Sequence, residues 1–123
     1  METGRWYRGI VVHGLQNGRK FGFPTANVQL YKPESFEKGV YACWVEVSNR
    51  LFKGMLYIGT RPTLDLTELS LEIHILDFDE DIYDMDISFV VVEKIRSEQK
   101  FPNIKELIQQ VERDKEAIRN LLD

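Results

Sequence analysis

Short runs of β-branched and aromatic residues, interrupted by turn-forming residues, limit this fold more than any other feature of the sequence. Five such runs span residues 8–13, 39–47, 52–58, 69–78 and 87–95, and residues 59–63 predict a turn after the third. No helical pattern joins the runs, so we expect antiparallel strands in a barrel or a sandwich. A small barrel is favoured, because closure removes exposed edges in a chain of 123 residues.

The pattern changes near the C-terminus, where apolar residues recur at helical spacing. These residues are Ile104, Leu107, Ile108, Val111, Ile118, Leu121 and Leu122. Asn103 can cap the first turn, and Glu106 lies three residues later, as in a capping box. The sequence therefore predicts one amphipathic helix that packs on the barrel.

Composition sets the outer limits on function. The length suits a single domain over residues 1–123, and 29% charged with 43% hydrophobic residues is typical of a soluble globular protein. A net charge of -4 without a long basic block argues against nucleic acid as the main partner, and no apolar run is long enough for a membrane. The lone Cys43 cannot form an internal disulfide and is expected to be buried and inert, which favours a cytoplasmic location.

The segment at residues 18–27 combines backbone freedom with short polar side chains. It reads Gly-Arg-Lys-Phe-Gly-Phe-Pro-Thr-Ala-Asn. Gly22 lets the main chain approach a ligand closely, Pro24 fixes one dihedral angle, and Thr25 and Asn27 offer oxygens that Mg²⁺ accepts. The pattern suits a phosphate-binding loop, beside which Arg19 is either a phosphate ligand or a solvated charge.

A second polar segment interrupts the fourth run. Alternation along a strand places Glu72, His74 and Leu76 on one face and three aliphatic residues on the other. The carboxylate and the imidazole therefore project together. Two interpretations remain open from the pattern alone: this face lines a site, or it is the ordinary polar side of a half-exposed strand.

A third segment, residues 95–102, joins the last predicted strand to the helix. Arg96, Glu98 and Phe101 place a cation, an acid and an aromatic ring within six positions, a combination that can clamp a flat heterocycle. The segment is therefore either a lid over a ligand or a polar connection with Phe101 tucked under the helix.

The order of these motifs resembles the riboflavin kinase family. The resemblance rests on the Gly-Arg-x-x-Gly-x-Pro-Thr-Ala-Asn run, the Glu-x-His strand and the Arg-x-Glu-x-x-Phe segment, and extends to Asp114 in the helix. It implies a six-stranded antiparallel Greek-key barrel with a C-terminal helix, which transfers the γ-phosphate of ATP to riboflavin and releases FMN and ADP. The chain departs from the family at Asp84, where Gly is usual after Tyr83; Asp tolerates the left-handed conformation better than most residues.

The resemblance also implies a role for each matched residue. Glu72 is the catalytic base. Independently of the resemblance, we expect His74 to be a supporting residue, because a histidine on a strand face more often satisfies a hydrogen bond than performs chemistry. The implied ATP-binding residues are Gly14, Arg19, Gly22, Pro24, Thr25, Asn27 and Tyr83. Thr25 and Asn27 also hold the metal, Mg²⁺ first, with Zn²⁺ or Mn²⁺ as alternatives, and the flavin-binding residues are Arg96, Glu98 and Phe101.

Two other functions fit parts of the pattern: a non-catalytic flavin- or nucleotide-binding barrel, and a structural domain that only packs against a partner. Many bacterial riboflavin kinases form the C-terminal half of a bifunctional protein, and both a natively short enzyme and an excised domain fit this sequence. It contains no nucleotidyl-transfer motif, so we expect no FAD synthetase activity from this chain. A monomer is expected, because no heptad pattern or long apolar edge calls for a partner.

Overall fold

Six strands and one helix make up the computed structural model, which describes residues 4–13, 23–62 and 67–123. The elements are β1 (Trp6–Val12), β2 (Ala26–Leu30), β3 (Gly39–Val47), β4 (Arg50–Pro62), β5 (Thr67–Ile75), β6 (Asp86–Arg96) and α1 (Ile104–Leu121). The strands close into a barrel in the order β1-β2-β5-β4-β3-β6, and every neighbouring pair is antiparallel. Since β2 lies beside β5 rather than β3, strands β2 to β5 form a Greek key. The predicted barrel with a C-terminal helix is confirmed.

Two apolar clusters hold the fold together. One fills the barrel interior and includes the fully buried Leu56, Ile73 and Phe89. The other lies between the barrel wall and α1, and includes Met55 of β4 and Val111 of α1. Burial of such side chains contributes about 1.5–3 kcal/mol each, so the helix is stabilised by the barrel surface that it covers.

The predicted strand boundaries hold best for the long apolar run of β3. Residues 39–47 match β3, whereas β1 begins at Trp6 and ends at Val12, and β6 spans Asp86–Arg96. The turn predicted at residues 59–63 is wrong for its described part, because β4 continues through Pro62 in register with β5. The fourth predicted strand also ends too late, since β5 stops at Ile75 and Asp77 adopts a φ of 57°.

A tight hairpin and an unrecognised strand account for the remaining differences. Ser48 and Asn49 both have positive φ, 50° and 64°, and connect β3 to β4 in a two-residue turn of the kind that suits twisted antiparallel strands. The sequence pattern does not predict the short β2, because Ala26 and Asn27 belong to the predicted phosphate-binding segment. Its pairing with β5 is limited to two positions, Ala26 opposite Ile73 and Asn27 opposite Glu72.

The helix begins where its cap predicts. Asn103 accepts a hydrogen bond from the Glu106 backbone N–H at 2.9 Å. The predicted apolar face is buried at Val111, Ile118 and Leu122, whereas Ile104 and Leu121 near its two ends are 53% and 40% exposed. Within the described ranges, no helix has both the length and the apolar character to cross a membrane.

Candidate active site

The β2–β5 seam places three polar side chains of the predicted site together. Thr25 immediately precedes β2, and its hydroxyl donates a hydrogen bond to Glu72 Oε1 at 3.0 Å. Asn27 lies in β2 directly opposite Glu72 in β5. The strand pairing therefore joins the predicted metal ligands to the predicted base, across a sequence separation of 47 residues for the hydrogen-bonded pair.

The amide of Asn27 is the least satisfied group in this seam. Asn27 is 8% exposed, and its Nδ2 has no hydrogen-bond partner among the described residues. A buried polar atom without a partner costs about 1–3 kcal/mol, and such groups are concentrated at binding and catalytic sites. The amide can turn either its oxygen or its N–H toward a ligand, because a flip exchanges the two ends.

His74 follows Glu72 by two residues in β5, so it lies on the same face of the strand and supports the seam there. It is 7% exposed, its ring lies edge-on to Phe23 at 6.4 Å, and its Nδ1 is 2.8 Å from the backbone oxygen of Pro24. Burial holds the pKa of His74 below its ordinary value, although the hydrogen bond to Pro24 opposes this effect. A neutral His74 with its proton on Nδ1 donates to Pro24 and so holds the residue next to Thr25. The alternative of a half-exposed strand is excluded for this position.

A cavity of about 280 Å³ lies beside Glu72. The residues that bear on its chemistry are Tyr57, Glu72, Arg96, Glu98, Phe101 and Leu107. All three residues that the sequence predicted to contact a flavin line this cavity together with the predicted base. The segment after β6 and the face of β5 therefore line one cavity.

Arg96 lines the cavity, as expected for a flavin contact, but its guanidinium is also held by Asp114 of α1. Its Nε lies 3.1 and 3.0 Å from the two carboxylate oxygens of Asp114, and its NH2 group lies 2.9 Å from Oδ2. Asp114 is 2% exposed and also accepts a hydrogen bond from Gln110 at 2.9 Å. The guanidinium carbon is 5.6 Å from the Phe101 ring centroid. Arg96 thus combines a place in the cavity wall with a buried ion pair to α1.

Tyr57 is a cavity residue that sequence reasoning missed. It lies opposite Glu72 in the β4–β5 register, and its hydroxyl is buried without a hydrogen-bond partner of good geometry among the described residues. The pKa of Tyr57 is raised to about 12, chiefly by burial and also by nearby Asp114 and Glu72, while Arg96 opposes these effects. An arginine can only donate, so contact with Arg96 leaves the phenol proton without an acceptor. Only the strand register, which the sequence does not reveal, could have identified this residue.

A smaller cavity of about 70 Å³ lies on the other side of Thr25. Pro24, Thr25 and Tyr83 line it, together with acidic residues 79–81. Tyr83 stacks on His13 with ring centroids 3.9 Å apart and an interplanar angle of 18°. Asp84 adopts a φ of 67°, so an aspartate occupies the left-handed conformation directly after Tyr83.

The predicted nucleotide-binding residues are only partly within the described chain. Pro24, Thr25 and Tyr83 share the smaller cavity. Gly14, Arg19 and Gly22 lie outside the described residues. The described ranges contain no cluster of three or more His, Cys, Asp or Glu side chains arranged to hold a metal ion, so a metal here would depend on hydroxyl, amide and ligand oxygens.

Cys43 plays no part in either cavity. It is fully buried in β3, and burial raises the pKa of its thiol, so the side chain stays protonated. The expectation of a buried, inert cysteine is confirmed.

Some known proteins are similar to this chain in sequence, and some solved structures are similar to it in fold. A relative from Bacillus subtilis, named a bifunctional riboflavin kinase/FMN adenylyltransferase, is 43% identical over 117 residues, which are 91% of this chain and 37% of the relative. The chain therefore spans less than two fifths of that protein.

Two solved structures superpose on the fold. A crystal structure titled as a macrolide-efflux protein from Streptococcus pneumoniae has a TM-score of 0.88 at 35% identity, over 94% of this chain and 38% of that one. Riboflavin kinase from Trypanosoma brucei has a TM-score of 0.69 at 26% identity, over 95% of this chain and 78% of that one. The flavokinase family, described as riboflavin kinase, matches residues 4–122. Because this match covers nearly the whole sequence, the chain belongs to the riboflavin kinase family.

Proposed function

We propose that this chain transfers the γ-phosphoryl group of ATP to the 5′-hydroxyl of riboflavin, giving FMN and ADP. The observation that carries the proposal is the hydrogen bond between Thr25 and Glu72. Thr25 lines the smaller cavity and Glu72 lines the larger one. A phosphoryl donor on the Thr25 side and an alcohol on the Glu72 side would therefore meet at this contact, and membership of the family supports that arrangement.

The reaction asks mainly for positioning and charge stabilisation. A bond forms between the riboflavin 5′-oxygen and the γ-phosphorus, and the bond from that phosphorus to the β–γ bridging oxygen breaks. The proton of the 5′-hydroxyl passes to the Glu72 carboxylate. Because phosphoryl transfer proceeds through a loose transition state, alignment of the hydroxyl by Glu72 matters at least as much as proton removal.

Thr25 and Asn27 would hold a divalent cation, as hydroxyl and amide oxygens. The fit rests on two observations: the Thr25 oxygen keeps its lone pairs while it donates to Glu72, and the Asn27 amide has an unpaired end. A cation bound there neutralises charge on the transferring phosphates. A set of oxygen ligands favours Mg²⁺ or Mn²⁺ over Zn²⁺.

Riboflavin would occupy the larger cavity. Phe101 and Leu107 offer apolar surface to a flat ring system, whereas Glu98 and Arg96 offer polar groups at its edge. The 5′-hydroxyl of the ribityl chain would then point toward Glu72. On the nucleotide side we assign Gly14, Arg19, Gly22, Pro24 and Tyr83 to ATP. The observed His13–Tyr83 stack provides an aromatic surface at that side.

FMN is the expected final product of this chain, without FAD. The relative from Bacillus subtilis is also named an FMN adenylyltransferase, but we assign no residue of this chain to that second activity. We further expect the 123-residue chain to act as a single domain, as a monomer and in the cytoplasm.

The test is to incubate the purified chain with riboflavin and ATP, with and without Mg²⁺, and to separate the flavins by chromatography. Metal-dependent FMN without FAD is the expected result. Riboflavin that binds but is never phosphorylated would favour the non-catalytic flavin-binding barrel. A chain that binds neither riboflavin nor ATP would leave only the structural-domain hypothesis.

A further inference from the structure

The buried carboxylate of Asp114 does not line the larger cavity itself, but it binds Arg96, which does. Asp114 lies in α1 on the same face as Val111 and Ile118, which pack against the barrel, and it does not line the cavity. It receives two donor groups from Arg96, at 2.9 to 3.1 Å, and one from Gln110 at 2.9 Å. Its charge is thus satisfied almost entirely by one guanidinium that does line the cavity.

Arg96 passes this restraint on to the segment that follows it. Its NH1 group donates to the Ser97 backbone oxygen at 3.3 Å, and its guanidinium lies over the Phe101 ring. Residues 97–101 have no regular secondary structure, so side-chain contacts of this kind determine where the segment lies. Arg96 still has one N–H on each terminal nitrogen beyond these contacts, since a guanidinium carries five donors.

The buried Arg96–Asp114 ion pair is not well explained by a contribution to folding stability alone. Asp114 is 2% exposed and the Arg96 side chain 15%, so both charges lose most of their hydration. Replacing a buried ion pair with apolar residues of similar volume is often neutral or stabilising. A bidentate pair does fix the plane of the guanidinium, which an apolar pair would not do.

We propose that Asp114 is a positioning residue for riboflavin: from the helix, it orients Arg96 over Phe101 and so fixes residues 96–101 along the cavity. The inference rests on the proposed function, because it takes riboflavin as the occupant of that cavity. It makes α1 part of the substrate site rather than only a cover for the barrel wall.

The test compares two carboxylates that both connect the barrel to α1 through an arginine. Asp114→Asn removes the buried negative charge. The control, Asp77→Asn, removes the negative charge that pairs with Arg119 of α1 on an exposed surface outside both cavities. There the two terminal nitrogens of Arg119 lie 2.7 and 3.0 Å from the carboxylate oxygens of Asp77. Riboflavin affinity is measured by quenching of flavin fluorescence. The KM for each substrate is measured separately, at a temperature where thermal unfolding curves show each variant folded.

We expect Asp114→Asn to weaken riboflavin binding about 10-fold or more, the effect of losing hydrogen bonds to a charged group, while the KM for MgATP stays within about 2-fold. Asp77→Asn should leave both constants unchanged. A lower melting temperature for Asp114→Asn with unchanged riboflavin affinity would overturn the inference and leave Asp114 a purely structural residue. Equal losses for riboflavin and ATP would overturn it too, because they indicate general damage to the site.

If Asp114→Asn does not fold, Gln110→Leu provides the milder test. It removes one hydrogen bond to Asp114 from a half-buried position and should weaken riboflavin binding about 2- to 3-fold without changing the KM for MgATP. Unchanged affinity for riboflavin would then reject the inference. The proposed function fails separately, and the inference with it, if the unmodified chain does not bind riboflavin.

Discussion

Thr25 donates a hydrogen bond to Glu72 Oε1 at 3.0 Å, which ties the residue before β2 to the middle of β5. The contact lies where the short β2–β5 pairing ends and where the walls of two cavities meet. Pairing at two positions is enough to place Asn27 opposite Glu72. The barrel topology therefore brings the site together, and the local sequence only supplies the side chains.

The unpaired amide of Asn27 leads to a prediction that separates stability from activity. Asn27→Leu replaces a buried polar group with an apolar one of similar shape, so the melting temperature should stay the same or rise. The Mg²⁺ concentration needed for half-maximal activity should rise about 10- to 100-fold, the usual cost of a disturbed metal environment. Thermal unfolding and a Mg²⁺ titration of FMN formation measure the two effects. An unchanged Mg²⁺ requirement would remove Asn27 from the metal site.

Two tyrosines differ in whether their hydroxyls are satisfied. The Tyr41 hydroxyl donates to the Glu37 backbone oxygen at 2.7 Å, whereas the Tyr57 hydroxyl has no acceptor among the described residues. Tyr41→Phe should lower the free energy of unfolding by about 1 kcal/mol, and Tyr57→Phe should leave it unchanged or raise it. Urea denaturation of the two variants provides the comparison. A loss in Tyr57→Phe as large as that in Tyr41→Phe would show that this hydroxyl has a partner.

His74 should make stability depend on pH. Its pKa in the folded protein lies below the ordinary value of about 6.5, mainly because of burial, so the unfolded chain binds this proton first as the pH falls. The free energy of unfolding should therefore decrease below about pH 6.5, by at most about 1.4 kcal/mol per pH unit, until the folded-state pKa is reached.

The matched variant for this effect is His74→Asn, which keeps a donor near the position of Nδ1 but does not titrate. Urea denaturation from about pH 7.5 to about pH 5.5 should show a smaller slope in the variant, in a range above the titration of ordinary carboxylates. Equal slopes in the two proteins would mean that His74 is not the group responsible.

Close approach of two strands explains one glycine. A Cβ at Gly9 would lie 2.6 Å from the Gln29 backbone oxygen and 2.8 Å from Val28 Cγ1, whereas a Cβ at Gly59 would make only ordinary contacts at 3.7 and 3.8 Å. Gly9→Ala should destabilise the protein by about 1–3 kcal/mol, the usual cost of overpacking, while Gly59→Ala should be close to neutral. Thermal and urea unfolding of both variants check this. Equal stabilities would show that β1 and β2 can separate without cost.

The sequence predicted those features that depend on local pattern. Strand β3 follows from its apolar run, the helix start from Asn103, and the face shared by Glu72 and His74 from alternation. The sequence does not settle the secondary structure from Thr25 to Asn27, because short polar residues suit both a ligand-binding loop and the edge of a strand. The sequence of residues 59–63 predicts a turn, although pairing with β5 keeps Pro62 in β4.

The parts of the site that were missed depend on contacts between distant elements. Nothing near Asp114 in sequence indicates that its partner is Arg96, 18 residues away, and only the barrel brings the helix across β6. Tyr57 reaches the same cavity through its register with Glu72. Resemblance to a family supplied the roles of Glu72 and Phe101, which spacing alone left open.

The most direct test of the central claim follows the phosphorus atom. The chain is incubated with riboflavin, Mg²⁺ and ATP labelled at the γ-phosphate, alongside Glu72→Gln and the control Glu46→Gln, which changes an exposed carboxylate of β3 outside both cavities. We predict label in FMN for the unmodified chain and for Glu46→Gln. Glu72→Gln should still bind riboflavin but form FMN about 10² to 10⁴ times more slowly. Label that stays in ATP or appears only as inorganic phosphate would contradict the kinase assignment, and full activity in Glu72→Gln would contradict the role of Glu72 as base.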